Sequence, residues 1–477
     1  MIKRIFFAAA LVAFSLQAPA LNVTVTDAGT LISKIKATTD PATMTDLTVV
    51  GPIDAEDMVS LGLLAHALQS LDLTNASITA YSGKLLMGSK TYDANVIPDG
   101  AFAGLTKLTS VKLPDVKGLS IGAMAFAQTG LESTPDLKNV ISLGEGAFAG
   151  CASLKLANLS GIKDIAPSLF KDCTALVLVQ NSNAVETIGS SAFRDCSSLA
   201  NFPFGGALKS IGDYSFAGTG LSQANLAQCQ SLSTVGQYAF ANCPALTQVS
   251  FNASKSVSLG NGVFFNDKEL ETIDLPALMD KVPLYAFTGD DKLVTGELPD
   301  AVTEIGDYAL KNNGTAELTL PASLTHIGTG AMENMNNLTT LRATALQSVP
   351  TLGDDVWAGV DQANIVLEVP DNLKNEFKSA EQWKEFKLPL PTDVGGITAE
   401  DLGDRSVSAR FVGSDLQLKA TGASMTKVEV FDVNGALIVS AEPNTDFAVI
   451  DTSVSSNPLF VVRVTTDKGQ VILKLRR

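Results

Sequence analysis

The chain has 477 residues, 45% of them hydrophobic and 6% aromatic, and a formal charge of −16. That length is enough for two or three domains. The acidic balance argues against nucleic acid or anionic lipid as main partners, and two histidines in the whole chain make a Ser-His-Asp arrangement improbable.

The first twenty residues read as a secretory signal. Lys3 and Arg4 supply its charged region, residues 5–16 an apolar core too short to span a bilayer, and Ala18-Pro19-Ala20 the cleavage site. No cysteine follows that core, so no lipid attachment is expected, and no later run is apolar for long enough to form a spanning helix. Residues 21–95 predict a mixed N-terminal cap. Leu31, Ile32 and Ile35 lie on one face of an amphipathic helix, followed by a strand at 47–50, a helix at 55–68 and a strand at 70–73. A repeat array needs such an atypical first unit to cover its open end. His66 falls on the second helix with no nucleophile beside it, and reads as a structural residue.

Residues 96–389 are periodic. Phe102, Phe126, Phe148, Phe170, Phe193, Phe216, Phe240, Phe264 and Phe287, then Leu310, Met332 and Trp357, recur at steps of 22 to 25 residues. The frame around each is complete in VGQYAFANCPALTQVSF at 235–251. This period marks a solenoid whose repeats bury their apolar faces only by stacking. The Leu-x-x-Val-x-Leu part predicts one short strand per repeat, ended by a proline at Pro114, Pro276 and Pro299. The Ile-Gly part is expected to turn the chain, Gly allowing the tight turn and Phe plugging the space between coils. Gly130 and Gly220 stand at corners tightened by one missing residue.

These motifs resemble the BspA-like, or Treponema-type, leucine-rich repeats of bacterial surface proteins. The resemblance implies a β-rich, α+β-class fold: a right-handed, curved solenoid of about twelve ~23-residue repeats with a strand-lined concave face. It also implies a secreted or surface-exposed binding protein, and the family carries no common catalytic residues to transfer.

The residue between the last two inward positions of each strand should face out of the concave side. That column reads Lys112, Pro135, Asn158, Gln180, Pro203, Asn225, Ser250, Asp274, Glu297, Thr319 and Arg342. It has neither an aromatic stripe for sugar stacking nor a basic stripe for polyanions. Lys112, Asn158, Gln180, Asn225, Ser250, Asp274, Glu297 and Arg342 are the candidate ligand-binding residues, against the plainer reading of a solvated face. Asp274 and Glu297 are read as adjacent acidic rungs, open to a weak cation site or a basic partner's footprint. Cys151, Cys173, Cys196 and Cys243 all follow their Phe by three residues, so stacked coils place them in one inward column. A buried filler is the simpler account than a disulfide framework. Cys229 lies outside the frame without an evident mate. Neither His66 nor His326 has ligand spacing to a cysteine, so no metal and no cofactor is expected.

In residues 346–389 Trp357 takes the Phe position, and VLEVPDNLKNEFKSAEQWKEF resembles the closing segment of BspA-like arrays. Leu373, Phe377, Ala380 and Trp383 should form a helical face over the end of the core. Asp354-Asp355 lacks the further acidic ligands of a calcium loop. Residues 390–404 have a linker's Pro, Gly and acidic content. From 405 to 477 the period becomes that of strands, with hairpin turns at Asn434-Gly435 and Asp467-Lys468-Gly469, predicting a small antiparallel β-sandwich. VEVFDVNGALI, FVVRVTTDKGQVILKLRR and the basic Lys474, Arg476 and Arg477 resemble the sorting domain of type IX secretion. Two departures stand out: a Pro-Asn-Pro start is missing, and Asn457-Pro458-Leu459-Phe460 replaces the usual Gly-x-Tyr.

No phosphate loop, zinc spacing or nucleophile elbow is present in the sequence. The chain is therefore expected to be a non-enzymatic monomer, secreted or at the outer cell surface, binding an extracellular protein in adhesion or host contact. A carbohydrate-capturing surface protein and a structural envelope component are the alternatives.

Overall fold

The computed structural model of the chain describes residues 20–85, 88–388, 407–412, 414–433, 435–453 and 459–476. The signal segment, the stretch 390–404, Asn434, Asn457-Pro458 and Arg477 lie outside the described residues. Two compact units result: Met1–Ile365 with Val369–Phe386, and Lys387–Arg477 with the short strand Val366–Glu368.

The first unit is a β-solenoid of about 14 turns. Its regular coils carry two short parallel strands, one more than the motif predicts. The expected strand appears as Leu156–Asn158 beside Leu178–Gln180, as Gln223–Asn225 beside Gln248–Ser250 and Thr272–Asp274, and as Glu317–Thr319 beside Thr340–Arg342. The second ends on the apolar residue before the repeat Gly, whose place Ala166 takes in the Phe170 coil. It stacks Asp164–Ile165, Thr187–Ile188, Ser210–Ile211, Thr234–Val235 and Ser258–Leu259 in one parallel ladder. The stretch read as a turn is thus extended backbone, which its β-branched Thr, Ile and Val favour.

The role expected for the repeat glycine changes accordingly. A Cβ on Gly236 would lie 2.5 Å from the Asp213 nitrogen and 2.6 Å from the Gly212 carbonyl carbon, both in the neighbouring coil. Gly stands there because the next backbone passes where a side chain would begin. A Cβ on Gly130 or Gly220 would likewise lie 2.3 Å from the Thr106 or Ser197 carbonyl oxygen. The left-handed turns lie elsewhere, two residues before and two after the central Phe, as at Tyr238 (φ 52) and Asn242 (φ 57) around Phe240. The same two positions are left-handed in each coil from Phe102 to Trp357. The later position holds Gly, Asn or Asp in all but the Phe126 coil, which has Gln128; those three residues carry the least penalty in this region.

From Phe102 to Phe287 the rings form one continuous stack, with centroids 5.3 to 5.8 Å apart, every ring fully buried. The backbone follows the same step: the Phe216 N–H donates to the Ala239 carbonyl at 2.8 Å, and the Phe240 N–H to Val263 at 3.0 Å. The cysteine column stands beside this stack. The thiols of Cys151, Cys173, Cys196 and Cys243 donate to the carbonyls of Phe126, Phe148, Phe170 and Phe216 at 3.1 to 3.2 Å. All five cysteines are free and buried. Burial pushes the Cys229 thiol up to about 11. After Cys243 the same inward position holds Asp267, Asp290 and Asn313, which the sequence reading did not single out, all fully or almost fully buried.

At the N-terminus, Leu21–Thr24, Asp46–Ile53, Ser70–Ile78 and Ser110–Lys112 form one parallel sheet. The cap is therefore made of coils in register with the array, which accounts for turns beyond the twelve expected. Its helices are Leu31–Lys36, burying Leu31 and Ile35, and Ala55–Leu64. The second helix ends before His66, which is exposed in the turn beyond it. Asp57 ties the two together: its carboxylate accepts from the Gly29, Leu31 and Asp54 N–H groups at 2.7, 2.9 and 3.2 Å. Burial raises the Asp57 carboxyl despite these bonds. An antiparallel hairpin, Tyr81–Leu85 with Gly88–Tyr92, was not foreseen. At the far end the helix Lys374–Ser379 buries Phe377. Trp383 follows it, packing edge-on against Trp357 and Phe377 at 5.5 and 5.1 Å, while Ala380 is only half-buried.

The second unit holds two antiparallel sheets. One pairs Val407–Val412, Asp415–Ala420 and Phe447–Asp451; the other pairs Leu437–Ala441, Met425–Phe431, Leu459–Thr466 and Gly469–Arg476. Leu416, Leu418, Val428, Val430, Ile450, Phe460 and Val462 form its core.

Candidate ligand-binding face

In the three-residue strands of the first ladder the middle residue is buried or half-buried and the outer two face outward. Leu178–Gln180, for example, buries Val179 between exposed neighbours. This alternation is the period of two that any strand imposes. It puts the candidate residues in register: Asn158 opposite Gln180, Asn225 opposite Ser250, and Ser250 opposite Asp274. Arg342 pairs with Thr319, and Lys112 with Asp72 of the N-terminal cap. Pro135, by contrast, is buried. Asp274 and Glu297 are not ladder partners among the described residues. Asp274 ends its sheet, while Glu297 bridges forward to Thr319, so no strand pairing joins these two carboxylates.

Each strand also presents its first residue, which the single-column reading left out: Leu156, Leu178, Gln223, Gln248, Thr272, Glu317 and Thr340. The same alternation that selects the third residue would have found them. The second column changes the chemistry. Leu178 and the preceding Val177 are exposed and make an apolar spot, and Glu317 bonds Arg342 at 2.7 Å. Lys112 is held by Asp72 at 2.8 Å. Burial raises the Asp72 carboxyl, but the Lys112 and Thr74 hydrogen bonds outweigh it and hold it below its ordinary value. Both basic members of the predicted column are thus charge-compensated by their neighbours. The middle of the face is an amide and hydroxyl surface, where Asn158 accepts from Asn181 at 2.8 Å and Ser250 donates to Asn225 at 3.3 Å.

Among the described residues no group of three or more His, Cys, Asp or Glu is arranged to hold a metal ion. Asp354 and Asp355 instead line an open cleft of about 990 Å³ at the closing end, together with Trp357, Gln362 and Gln382. Gln382 is committed to the backbone there, accepting from Val356 at 2.9 Å and donating to Gly353 at 2.8 Å. No helix among the described residues is long and apolar enough to cross a membrane.

The signature of the BspA type leucine rich repeat region matches in six copies, over residues 91–177, 163–294 and 257–376. This chain belongs to the BspA-type leucine-rich repeat family. Its solenoid is therefore a repeat scaffold of a protein-binding kind. Among solved structures, a leucine-rich repeat protein from Bacteroides ovatus is similar at 21% identity and a TM-score of 0.56, over 72% of this chain and 88% of that one. A leucine rich cell surface protein from Faecalibacterium prausnitzii matches at 20% identity and a TM-score of 0.37, over 61% and 83%. A leucine-rich repeat protein of T. pallidum matches at 20% identity and a TM-score of 0.19, over 63% and 92%. No curated protein matches the sequence. The first of these likenesses carries the fold alone.

Proposed function

We propose that this BspA-type protein is exported and works outside the cell as a non-enzymatic adhesin, holding an extracellular protein against the strand face of its solenoid. The observation that carries this reading is the in-register run Asn225, Ser250 and Asp274, with Asn158 and Gln180 paired in the same way in a separate sheet. Such a surface offers closely spaced amide, hydroxyl and carboxylate hydrogen-bonding groups, with the exposed Val177 and Leu178 beside Gln180, the mixture that a polar rim around a small apolar anchor requires. The signal-like first twenty residues support export. The antiparallel C-terminal unit is compatible with a sorting module, and we assign residues 405–477 that role, with 390–404 as the linker.

Binding of the full chain to immobilised extracellular-matrix and serum proteins tests the face. A variant with Asn225, Ser250, Asp274 and Glu297 all changed to Ala should keep its melting temperature and lose at least about tenfold in affinity, equivalent to about 1.4 kcal/mol. Unchanged binding by the folded variant would move the contact off the strand face.

A further inference from the structure

A second ordered surface stands on the stretch between the Ile-Gly strand and the central Phe. Two residues before that Phe the backbone is left-handed in every coil, and Gly fills the position without strain at Gly100, Gly146, Gly262 and Gly330. Four coils carry tyrosine there instead: Tyr214 (φ 55), Tyr238 (φ 52), Tyr285 (φ 57) and Tyr308 (φ 54). A bulky residue in this conformation is an outlier, and these four are half-exposed, so the buried core does not require them. Tyr214 and Tyr238 stack at 5.2 Å and 12°, and Tyr285 and Tyr308 at 5.3 Å and 11°. The coil between the pairs has Gly262, where a Cβ would strike the Tyr238 ring at 2.3 Å. Phe265 fills that gap, edge-on to Tyr238 at 5.9 Å and to Tyr285 at 6.4 Å. The aromatic ribbon therefore runs unbroken over five coils, and Arg194 and Lys311 cap its ends over the Tyr214 and Tyr308 rings.

We propose that the ribbon Tyr214–Tyr238–Phe265–Tyr285–Tyr308 is a binding site for a linear, uncharged polysaccharide lying along the solenoid. Three observations select that ligand. The ring faces are turned toward one another, so the surface offers ring rims and hydroxyls. None of the four tyrosine hydroxyls has a protein partner among the described residues, and an apolar rim beside a free hydroxyl matches the C–H and O–H groups of a sugar. Both flanks are rows of amides and carboxylates: Asn266 donates to Asn242 at 2.8 Å on one side, and Gln237 to Asp213 at 3.2 Å on the other. Such flanks supply hydrogen bonds to hydroxyls and repel an anionic chain. Finally, the rungs recur at steps of 5.2 to 6.4 Å, two near-parallel tyrosine pairs joined by the edge-on Phe265, which suits a partner that is itself an extended repeating polymer and gives affinity that grows with its length.

The test measures binding of the full chain to cellohexaose and mannohexaose, to the corresponding disaccharides, and to a galacturonic acid hexamer. Two variants accompany it. Tyr238→Ser with Tyr285→Ser uses the residue that the Phe170 and Phe193 coils carry at this position, Ser168 and Ser191. Tyr238→Phe with Tyr285→Phe keeps the stack and removes hydroxyls. The expected result is that a neutral hexamer binds at least about tenfold more tightly than its disaccharide. The Ser pair should lose that affinity by about tenfold or more, and the Phe pair by a smaller factor at an unchanged melting temperature. Failure of both neutral hexamers to bind, binding of the galacturonate alone, or equal binding by the folded Ser variant would each overturn the proposal.

Discussion

At the level of single residues, the inward positions divide into those that only fill space and those that titrate. Phe240 sits inside the stack with rings at 5.4 and 5.6 Å on either side. Phe240→Ala should cost about 3–5 kcal/mol in urea unfolding, because neighbouring coils pinned by their own hydrogen bonds cannot close the cavity. The outward Asp274→Ala should stay within about 0.5 kcal/mol. Equal losses would show that the inward and outward assignment is wrong. Asp267 and Asp290 are the titrating case. The Cys243 N–H donates to Asp267 Oδ1 at 2.6 Å, and the Asp267 N–H to Asp290 Oδ1 at 2.8 Å, while both Oδ2 atoms are buried without a partner among the described residues. Burial raises both carboxyls well above the ordinary 3.8, and the neighbouring Asp290 charge raises Asp267 further. The folded chain thus binds more protons here than the unfolded chain does. This contribution to stability is full below 3.8 and is lost as pH rises through the raised folded values. A chain with Asp267→Asn and Asp290→Asn should therefore gain melting temperature over the parent at pH 8, and the gain should shrink as pH falls to 5. A constant difference across that range would contradict the burial of ionisable groups. Asn313, next in the same column, shows that an amide fits there.

For the coil as an element, two kinds of glycine answer to two different physical demands, and mutation separates them. Gly236→Ala forces a Cβ onto the backbone of the neighbouring coil and should cost about 1–3 kcal/mol, the scale of overpacking. Gly104 has open space around it and a φ of 78. Gly104→Asn should be nearly neutral by thermal denaturation, since Asn tolerates left-handed backbone and holds the same position at Asn242, Asn266, Asn312 and Asn334. If the two variants melted alike, close coil contact would not be the reason for the repeat glycine. Here sequence reading recognised the glycine and mistook its reason. A fixed Gly in a repeat marks either a left-handed turn or a close approach, and one coil's sequence contains no information about where the next backbone runs.

Over the whole molecule, the two units have separate cores, one the phenylalanine stack and the other the Leu416–Val462 cluster. Calorimetry of the full chain should resolve two transitions, and Phe240→Ala should lower only one of them. A single transition shifted as a whole would mean that the units unfold together. The order of folding energies within the solenoid is set by neighbour contacts, so its ends depend on their caps. Trp383 and Phe377 cover the last coil at one end, and the sheet from Leu21–Thr24 to Ser110–Lys112 begins the array at the other.

The sequence by itself determined the repeat, its inward residues and the family, because a period of 22 to 25 residues displays the core column directly. It also placed the cysteine column, the capping Trp383 and the strands of the C-terminal unit, all of which follow from local periodicity. Only the tertiary structure decided which residues share a surface. The Tyr214 to Tyr308 ribbon joins five coils through Phe265, a residue one place after the core position, and that substitution is visible only once the coils are stacked. The second strand ladder and the buried Asp267 and Asp290 likewise depend on pairing between coils. Contacts of that kind join residues about one repeat apart, and each coil's own pattern is silent about them.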